Sequence, residues 1–228
     1  MTAEGARRVV ALVAARNEAG TIGSTVRALN AVPGVTEVVV ADDASDDATS
    51  AEAGSAGARV LRSDRHRGKG GVLEGALDRL GPVDVWVLAD GDLGTSASGI
   101  APLVHAVLNE EADLAIGVLP NQGGGFGTIK RLARFAIARS CGFRARAPLS
   151  GQRAITDRTL AKVRPLADGF GVETAMTIDA VRSGAEVVEV PVELRHRATS
   201  RDLAGFAHRA RQGWDIARAV ASRIREDR

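Results

Sequence analysis

Two aspartates separated by a single glycine stand directly after an apolar run, in the segment VWVLADGDLGT (85–95). If that run is a strand, the α-carbons of Asp90 and Asp92 lie about 6.5–7 Å apart and both side chains point the same way. At about 6 Å and an effective dielectric constant near 20, two carboxylates repel each other by roughly 3 kcal/mol. A divalent cation held by one or two carboxylates and by ligand phosphates removes that repulsion. The spacing therefore predicts a Mg²⁺ or Mn²⁺ site for a diphosphate, with Gly91 allowing the ligand to approach the backbone.

Polar residues also follow two other apolar runs. The residues RNE (16–18) follow the first run and DDASDD (42–47) follow the second. Because aspartate is a favoured N-cap, Asp46 and Asp47 are expected to cap the helix that comes next. Capping does not explain the DGD pair, because the helix after it is not expected before about Ser96. The three clusters are therefore predicted to form one site that holds a polar ligand and a cation.

Strand-like runs alternate with segments of helical periodicity in the first half of the chain. This alternation predicts a doubly wound parallel sheet, in which ligands bind beyond the carboxyl ends of the strands. The second half is less regular, and Pro191 places its one predicted strand at a sheet edge. The predicted strands are 8–13, 37–41, 59–61, 83–89, 113–118 and 186–194, and the predicted helices are 21–30, 48–56, 72–80, 100–108, 128–140, 156–163 and 173–182.

A long amphipathic helix is predicted near the C-terminus, because apolar residues from Phe206 to Ile224 recur on one helical face. Nine arginines and four acids lie between Arg195 and Arg228, which favours an anionic partner. The apolar face of this helix either packs on the domain or on a second subunit, as in a homodimer, or makes peripheral contact with an anionic membrane.

The composition excludes several classes of protein. No window approaches the roughly 18 apolar residues of a membrane-spanning helix, and Glu18 comes too early for a secretory signal. The single cysteine, Cys141, excludes an internal disulfide and a multi-cysteine metal site. A reducing cytoplasm is the simplest location. No nucleic-acid-binding module is recognisable, so we expect no nucleic-acid partner.

Four segments together resemble the family 2 glycosyltransferases with the GT-A fold, especially the polyprenyl-phosphate sugar synthases. VALVAARNEAGTIGSTVRAL is similar to the family's first strand and Asn-Glu turn, and VVVADDASDDAT to its aspartate-rich second segment. RGKGGVLEGAL is similar to its Gly-Lys-Gly helix start, and LADGDLGT to its Asp-x-Asp motif. The likeness covers roughly residues 8–195. It implies one domain over residues 1–228 with a Rossmann-like, mostly parallel sheet flanked by helices. Its implied parts are a nucleotide-sugar-binding half (1–118), an acceptor half (119–200) and a C-terminal helix (201–228).

The resemblance also implies roles for individual residues on the donor side. Lys69 would lie near the diphosphate, although a solvated lysine at a helix start is the alternative. Asp90 would face the ribose or the sugar, Asp92 would bind the metal, and His196 would be a second metal- or phosphate-facing residue. The residues implied to contact the nucleotide-sugar are Ala14, Ala15, Arg16, Asn17, Glu18, Asp42, Asp43, Lys69, Asp90, Gly91 and Asp92.

On the acceptor side, the resemblance implies contacts from Ser150, Gly151, Gln152, Arg153 and Glu173. One departure concerns the phosphate of a lipid acceptor. Many lipid-phosphate members of the family have Gly-Ser-Arg after the fifth strand, and this chain has GVLP (117–120) instead. The contact which that arginine would make is therefore missing or passes to another arginine.

The implied reaction moves a sugar from a nucleoside-diphosphate sugar to a sugar, phosphate or lipid-phosphate acceptor, with inversion and with Asp92, Lys69 and Glu173 as catalytic residues. Glu173 would be the base for a hydroxyl acceptor and a positioning residue for an ionised phosphate. A helix N-terminal acid that interacts with the helix dipole is the alternative for Glu173. Two other functions remain open: a sugar nucleotidyltransferase and a non-catalytic protein that binds nucleotide-sugars.

Overall fold

The computed structural model describes residues 7–119, 127–168 and 171–195. A seven-stranded sheet runs through them in the order β3-β2-β1-β4-β6-β5-β7. The strands are β1 Val9–Ala15, β2 Glu37–Asp42, β3 Arg59–Arg62, β4 Val85–Asp90, β5 Leu114–Val118, β6 Arg153–Thr156 and β7 Val187–Pro191. The helices are α1 Ile22–Asn30, α2 Thr49–Ser55, α3 Gly68–Leu77, α4 Ala101–Leu108, α5 Gly127–Cys141, α6 Asp157–Val163 and α7 Val172–Arg182, with a 3-10 helix at Gly94–Ile100.

The sheet is mostly parallel, as predicted, but it contains one antiparallel strand that the sequence pattern did not reveal. This strand, β6, lies between β4 and β5 and is antiparallel to both. It has only four residues and begins with Arg153, so it lacks the apolar run that marks the other strands. The predicted edge position of the last strand is confirmed, because β7 ends the sheet beside β5.

Two apolar layers cover the faces of the sheet, and the central strands alternate between them. Residues such as Val9 and Val87 pack with α1 and α4 on one face. Residues such as Leu12 and Leu88 pack with α3, α6 and α7 on the other face. Because successive side chains of a strand point to opposite faces, Asp90 at the end of β4 belongs to the same face as Leu88. The alternation therefore directs the Asp90 carboxylate towards α3 and α7.

Two helix starts differ from the predictions. α3 begins at Gly68 and includes the glycines that the sequence pattern left outside it. A Cβ on Gly70 would lie 2.0 Å from the carbonyl oxygen of Ala167, so this glycine permits close packing rather than a turn. The 3-10 helix begins at Gly94, before the expected Ser96, but no side chain caps it.

The predicted C-terminal helix, 201–228, lies outside the described residues, and so does its packing on the domain, a second subunit or a membrane. Within the described ranges, no helix is long and apolar enough to cross a membrane.

Candidate active site

The carboxyl ends of β1, β2 and β4 meet at one edge of the sheet. In the parallel registers of β1 with its two neighbours, Ala15 lies beside Asp42 and Ala14 lies beside Asp90. The backbone N–H of Asp43 donates to the carbonyl oxygen of Ala15 at 2.9 Å, which joins two strand ends just beyond the sheet. The three polar clusters therefore lie at one edge, where ligands bind in open α/β sheets.

Lys69 joins three structural elements at this edge. Its Nζ lies 2.6 Å from Oδ1 of Asp90 and 2.7 Å from Oε1 of Glu173. The second oxygen of Asp90, Oδ2, accepts a hydrogen bond from Nε2 of Gln152 at 2.7 Å. The alternative of a solvated lysine at a helix start is wrong, because the Lys69 side chain is only 22% exposed and carries two ion pairs. We call these four residues the Lys69 cluster.

The ammonium of Lys69 changes the explanation of the aspartate pair. Burial alone would lower the pKa of Lys69, but the charges of Asp90 and Glu173 outweigh burial and raise that pKa above its ordinary value. Lys69 is therefore fully charged at neutral pH. In this structure Lys69 already balances the charge of Asp90, so a metal is not the only group that can relieve the repulsion between Asp90 and Asp92.

Gly151 is required for the close approach of these charged groups. A Cβ on this residue would lie 2.5 Å from Nζ of Lys69 and 2.6 Å from Oδ2 of Asp90. Any larger residue would therefore have to displace one partner of the ion pair. The segment predicted to contact the acceptor therefore supplies Gln152 to the Lys69 cluster and lies directly against its other members.

Asp92 remains the candidate metal ligand of the DGD turn. It is half-buried, and among the described residues no group of three His, Cys, Asp or Glu side chains could hold a metal ion by itself. Magnesium usually needs only one or two carboxylates when substrate phosphates supply other ligands. The residues therefore fit an ion that is held by Asp92 and by a diphosphate. His196, the second predicted metal ligand, lies outside the described residues.

Thr25 of α1 holds the DGD turn, and the sequence analysis missed it. This side chain is fully buried. Its Oγ1 donates to the carbonyl oxygen of Gly91 at 2.9 Å and accepts from the backbone N–H of Gly94 at 2.8 Å. A Cβ on Gly91 would lie 3.1 Å from Cβ of Ala15. The absence of a side chain at Gly91 therefore allows the DGD turn to pack closely against the end of β1, and the approach of a ligand to this backbone stays a prediction.

The turn after β1 is supported by the loop after β2. Asn17 has a positive φ of 55°, a conformation that asparagine tolerates better than most residues. Its backbone N–H donates to Oγ of Ser45 at 3.0 Å, and its Oδ1 accepts from the backbone N–H of Asp46 at 2.9 Å. The N–H of Glu18 donates to Oγ1 of Thr49 at 2.8 Å. The side chain of Arg16 is exposed beside this turn.

Of the two aspartates predicted to cap α2, only Asp47 bonds the start of the helix, and it does so from the position before the N-cap residue, Ala48. Oδ1 of Asp47 accepts from the backbone N–H of Thr49, the first residue of α2, at 2.9 Å. The hydrogen bond from the Thr49 hydroxyl is the main reason that the pKa of Asp47 is lowered. The prediction is wrong for Asp46, which stands two residues before the N-cap Ala48 and belongs to the loop that Asn17 holds.

Asp42 is a fully buried carboxylate with partners inside the protein. Its Oδ1 accepts from the backbone N–H of Ser45 at 2.9 Å and from the hydroxyl of the same residue at 2.5 Å. Its Oδ2 accepts from the hydroxyl of Ser50 and lies 3.4 Å from Nη1 of Arg62. These contacts shape the loop after β2, so any effect of Asp42 on a nucleotide would act through that loop.

Asp43 anchors the start of α3. It accepts hydrogen bonds from the backbone N–H groups of Arg67 at 2.6 Å and Gly68 at 2.9 Å. Nδ1 of His66, to which the sequence analysis gave no role, lies 2.6 Å from its Oδ2. Because Lys69 follows in the first turn of α3, Asp43 sets the position of the lysine.

Arg153 is placed differently from the prediction. It is only 1% exposed, so direct contact with an acceptor is not its role in this structure. Its Nε donates to the carbonyl oxygen of Ser150 at 2.9 Å, and its Nη1 donates to Oγ1 of Thr177 at 3.0 Å. Burial lowers the pKa of Arg153 to about 10, and the charges of Glu173 and Glu189 oppose that effect. Arg153 therefore joins the segment before β6 to α7.

Comparisons with known proteins identify the family of the chain. The model of the family described as glycosyl transferase family 2 matches residues 10–169, which include the DGD turn and most of the Lys69 cluster. The chain belongs to glycosyl transferase family 2. A curated relative, the glycosyltransferase AglJ of Haloferax volcanii, is 29% identical over 192 residues. These cover 82% of this chain and 62% of AglJ, so the chain spans less than two thirds of that relative.

Solved structures with the GT-A fold are similar to this chain over most of its length. Glucosyl-3-phosphoglycerate synthase from Mycobacterium tuberculosis, in complex with Mg²⁺ and UDP, has a TM-score of 0.79 and 27% identity. The match covers 95% of this chain and 79% of the synthase. The synthase with Mn²⁺, UDP-glucose and phosphoglyceric acid has a TM-score of 0.76 and 27% identity, with 95% and 79% coverage.

Proposed function

We propose that the chain transfers a sugar from a nucleoside-diphosphate sugar, a UDP-sugar in the first instance, to an acceptor that carries a phosphate group. The Lys69 cluster, next to Asp92 at the carboxyl ends of the parallel strands, is the observation that carries this proposal. Family membership supports the reaction type. The similar synthase binds UDP, UDP-glucose, Mn²⁺ and phosphoglyceric acid, which supports the choice of donor, metal and acceptor class.

In this reaction the bond between the anomeric carbon and the diphosphate oxygen breaks, and its electron pair stays with the diphosphate. An acceptor oxygen forms a bond to the anomeric carbon from the opposite face, which inverts the configuration. Bound Mg²⁺ or Mn²⁺ supplies Lewis-acid stabilisation of the negative charge on the leaving diphosphate. Asp92 would hold this ion, with His196 as a second candidate ligand. We assign donor contacts to the turns that contain Ala14–Glu18 and Asp90–Asp92.

The Lys69 cluster would fix two carboxylates for two tasks. Asp90, held by Lys69 and Gln152, can accept hydrogen bonds from hydroxyls of the ribose or the transferred sugar. Glu173 faces the same ammonium and can receive the proton of a hydroxyl acceptor. An acceptor phosphate is already ionised, with a second pKa of about 6, and needs no base. The positive charge of Lys69 lies against both carboxylates and offsets the anionic character of the substrates.

Two acceptor classes are compatible with this proposal. One is a small phosphorylated molecule, such as the phosphoglyceric acid and glycerol 3-phosphate that the similar synthase binds. The other is a polyprenyl phosphate or another cell-envelope precursor, which the sequence resemblance favours. The second class would bring the chain to a membrane surface on the cytoplasmic side. The acceptor segment Ser150–Gln152 lies between both substrates in this proposal.

The proposal is tested by donor binding and by product formation. Isothermal titration with UDP-, GDP- and dTDP-sugars, with and without Mn²⁺, should give manganese-dependent binding of one donor class. The variant D92N should lose most of the manganese dependence. A control variant, E111Q, removes one exposed acidic group before β5, at the opposite edge of the sheet, and should bind like the parent chain.

Incubation with the bound donor and each acceptor class, followed by mass spectrometry, should yield a glycosylated acceptor and a nucleoside diphosphate. Release of pyrophosphate from a nucleoside triphosphate and a sugar phosphate would instead identify a nucleotidyltransferase. Tight donor binding without any turnover would identify a non-catalytic nucleotide-sugar-binding protein. Either result would overturn the proposed transfer reaction.

A further inference from the structure

One face of α5 is exposed although it carries large apolar side chains. Phe135 is 68% exposed and Leu132 is 45% exposed. Three arginines on the same helix, Arg131, Arg134 and Arg139, are also exposed. We call these five residues the basic face of α5.

The five residues occupy a continuous surface. At 100° per residue in an ideal helix, they fall within an arc of about 160°, with Phe135 near its centre. Ala133 and Ile137 lie on the opposite side of the helix and are fully buried. Ile137 packs with Ile178 of α7 in a small apolar cluster. α5 is therefore fixed by its inner face and presents arginines around an apolar centre on its outer face.

The charge along α5 and the segment that follows it has a single sign, although the carboxylate of Glu189 in β7 accepts from the backbone N–H groups of Arg146 and Ala147. The segment 127–147 contains six cationic residues and no aspartate or glutamate. In the described part of the chain, none of the α5 arginines takes part in an ion pair, and Arg134 donates instead to the carbonyl oxygen of Arg146 at 2.7 Å. The six residues are Lys130, Arg131, Arg134, Arg139, Arg144 and Arg146.

The chemistry of this face restricts what can cover it. A second copy of the same face would bring arginines against arginines. The segment 195–228 has nine arginines and four acids, so it too would be repelled. A small soluble anion would satisfy the arginines but would leave Phe135 and Leu132 in water. A surface that combines negative charge with an apolar interior satisfies both groups.

We infer that the basic face of α5 docks on a bilayer rich in anionic phospholipid. Phe135 and Leu132 enter the boundary between headgroups and acyl chains, and the flanking arginines bind the headgroup phosphates.

β5 runs parallel to β4, because both strands are antiparallel to β6, which lies between them. β5 therefore ends at the edge of the sheet that holds the Lys69 cluster. α5 begins at Gly127, which is eight residues after Leu119, the residue that follows β5. This docking surface does not depend on the proposed transfer reaction.

The inference is tested by flotation of the full-length chain with vesicles of phosphatidylcholine alone or with about one third phosphatidylglycerol. The chain should bind the anionic vesicles and be released by high salt, which screens the arginines. The variants L132S/F135S and R131Q/R139Q should each weaken vesicle binding by about tenfold or more. The matched control R27Q/R79Q removes two exposed arginines elsewhere and should change binding less than about twofold.

Circular dichroism and thermal unfolding should show that every variant folds like the parent, since all the substituted side chains are exposed. Three results would overturn the inference. The parent chain could fail to bind anionic vesicles, or L132S/F135S could bind them as well as the parent. Alternatively, light scattering could show a dimer that L132S/F135S dissociates while vesicle binding is unaffected, which would assign the face to a second copy. Donor titration in free solution is unaffected in all three cases and tests the transferase proposal separately.

Discussion

At the scale of single residues, the central feature is an ammonium that two carboxylates share. Lys69 contacts Asp90 and Glu173 at hydrogen-bonding distances, and these three residues come from three different elements. The sequence brought the same residues forward as candidates, because each occurs in a motif of the family. It could not show that the lysine neutralises Asp90, since a contact between α3 and β4 depends on how the helix packs on the sheet.

Replacing Lys69 by methionine should keep most of the side-chain volume and remove the charge. Asp90 and Glu173 would then lose the ammonium that lies between them, so we expect a fall in kcat of about 100-fold and a stability loss of roughly 3 kcal/mol. K69R should recover part of the activity. Because the pKa of Lys69 is raised, its stabilisation is complete below about pH 10 and is lost only as pH rises above that value. Steady-state kinetics from pH 6 to 9 and urea unfolding measure these effects.

The matched control for this variant is K162M, which removes an exposed lysine from α6. It should leave kcat, KM and the unfolding free energy close to those of the parent. Equal activity of K69M and K162M would show that the Lys69 cluster has no part in the reaction.

Replacing Gly151 by alanine tests the geometry of the cluster without removing any charge. The added methyl group would lie 2.5 Å from Nζ of Lys69 and must push the lysine or Asp90 aside. We expect kcat/KM to fall by about tenfold or more, because small displacements of catalytic groups are costly. G54A, in α2, has no atom within 4 Å of its new methyl group. This control should retain full activity and gain up to about 1 kcal/mol of stability, and an unimpaired G151A would contradict the account.

At the scale of elements, α1 and α3 determine where the chemistry lies. α1 supplies Thr25, whose hydroxyl bridges Gly91 and Gly94 and so fixes the turn that contains Asp92. α3 is held at its start by Asp43, which positions Lys69. Neither bridge could be predicted from the sequence, because each joins residues that are far apart along the chain.

Replacing Thr25 by valine should preserve the shape of the side chain and leave the carbonyl of Gly91 and the N–H of Gly94 without their partner. We expect a stability loss of about 1–3 kcal/mol, because unsatisfied buried polar groups are costly. Manganese-dependent donor binding should weaken because Asp92 is less well held. Urea unfolding and titration calorimetry measure the two effects.

The control S98A removes an exposed hydroxyl whose hydrogen bond to the carbonyl of Thr95 is 3.3 Å long. S98A should leave both the free energy of unfolding and manganese-dependent donor binding close to those of the parent. If T25V bound donor and manganese as the parent does, the bridge by Thr25 would have no influence on the metal site.

At the scale of the whole molecule, the sequence predicted the parallel part of the sheet well. β1, β2 and β4 have long apolar runs, and both faces of each strand are buried, so their pattern is strong. β6 was missed because its first residue is an arginine, and only the closed tertiary structure shows that this arginine is buried between the sheet and α7. The sequence predicted which residues belong to the candidate site. The contacts that each of them makes could be seen only in the three-dimensional structure.

The most direct test of the account is a crystal structure of the chain with UDP-glucose and Mn²⁺. We predict that the diphosphate lies beyond the carboxyl ends of β1, β2 and β4, with Mn²⁺ bound by Asp92 and the sugar next to Asp90. A nucleotide bound at another edge of the sheet, or a manganese ion without contact to Asp92, would contradict the account.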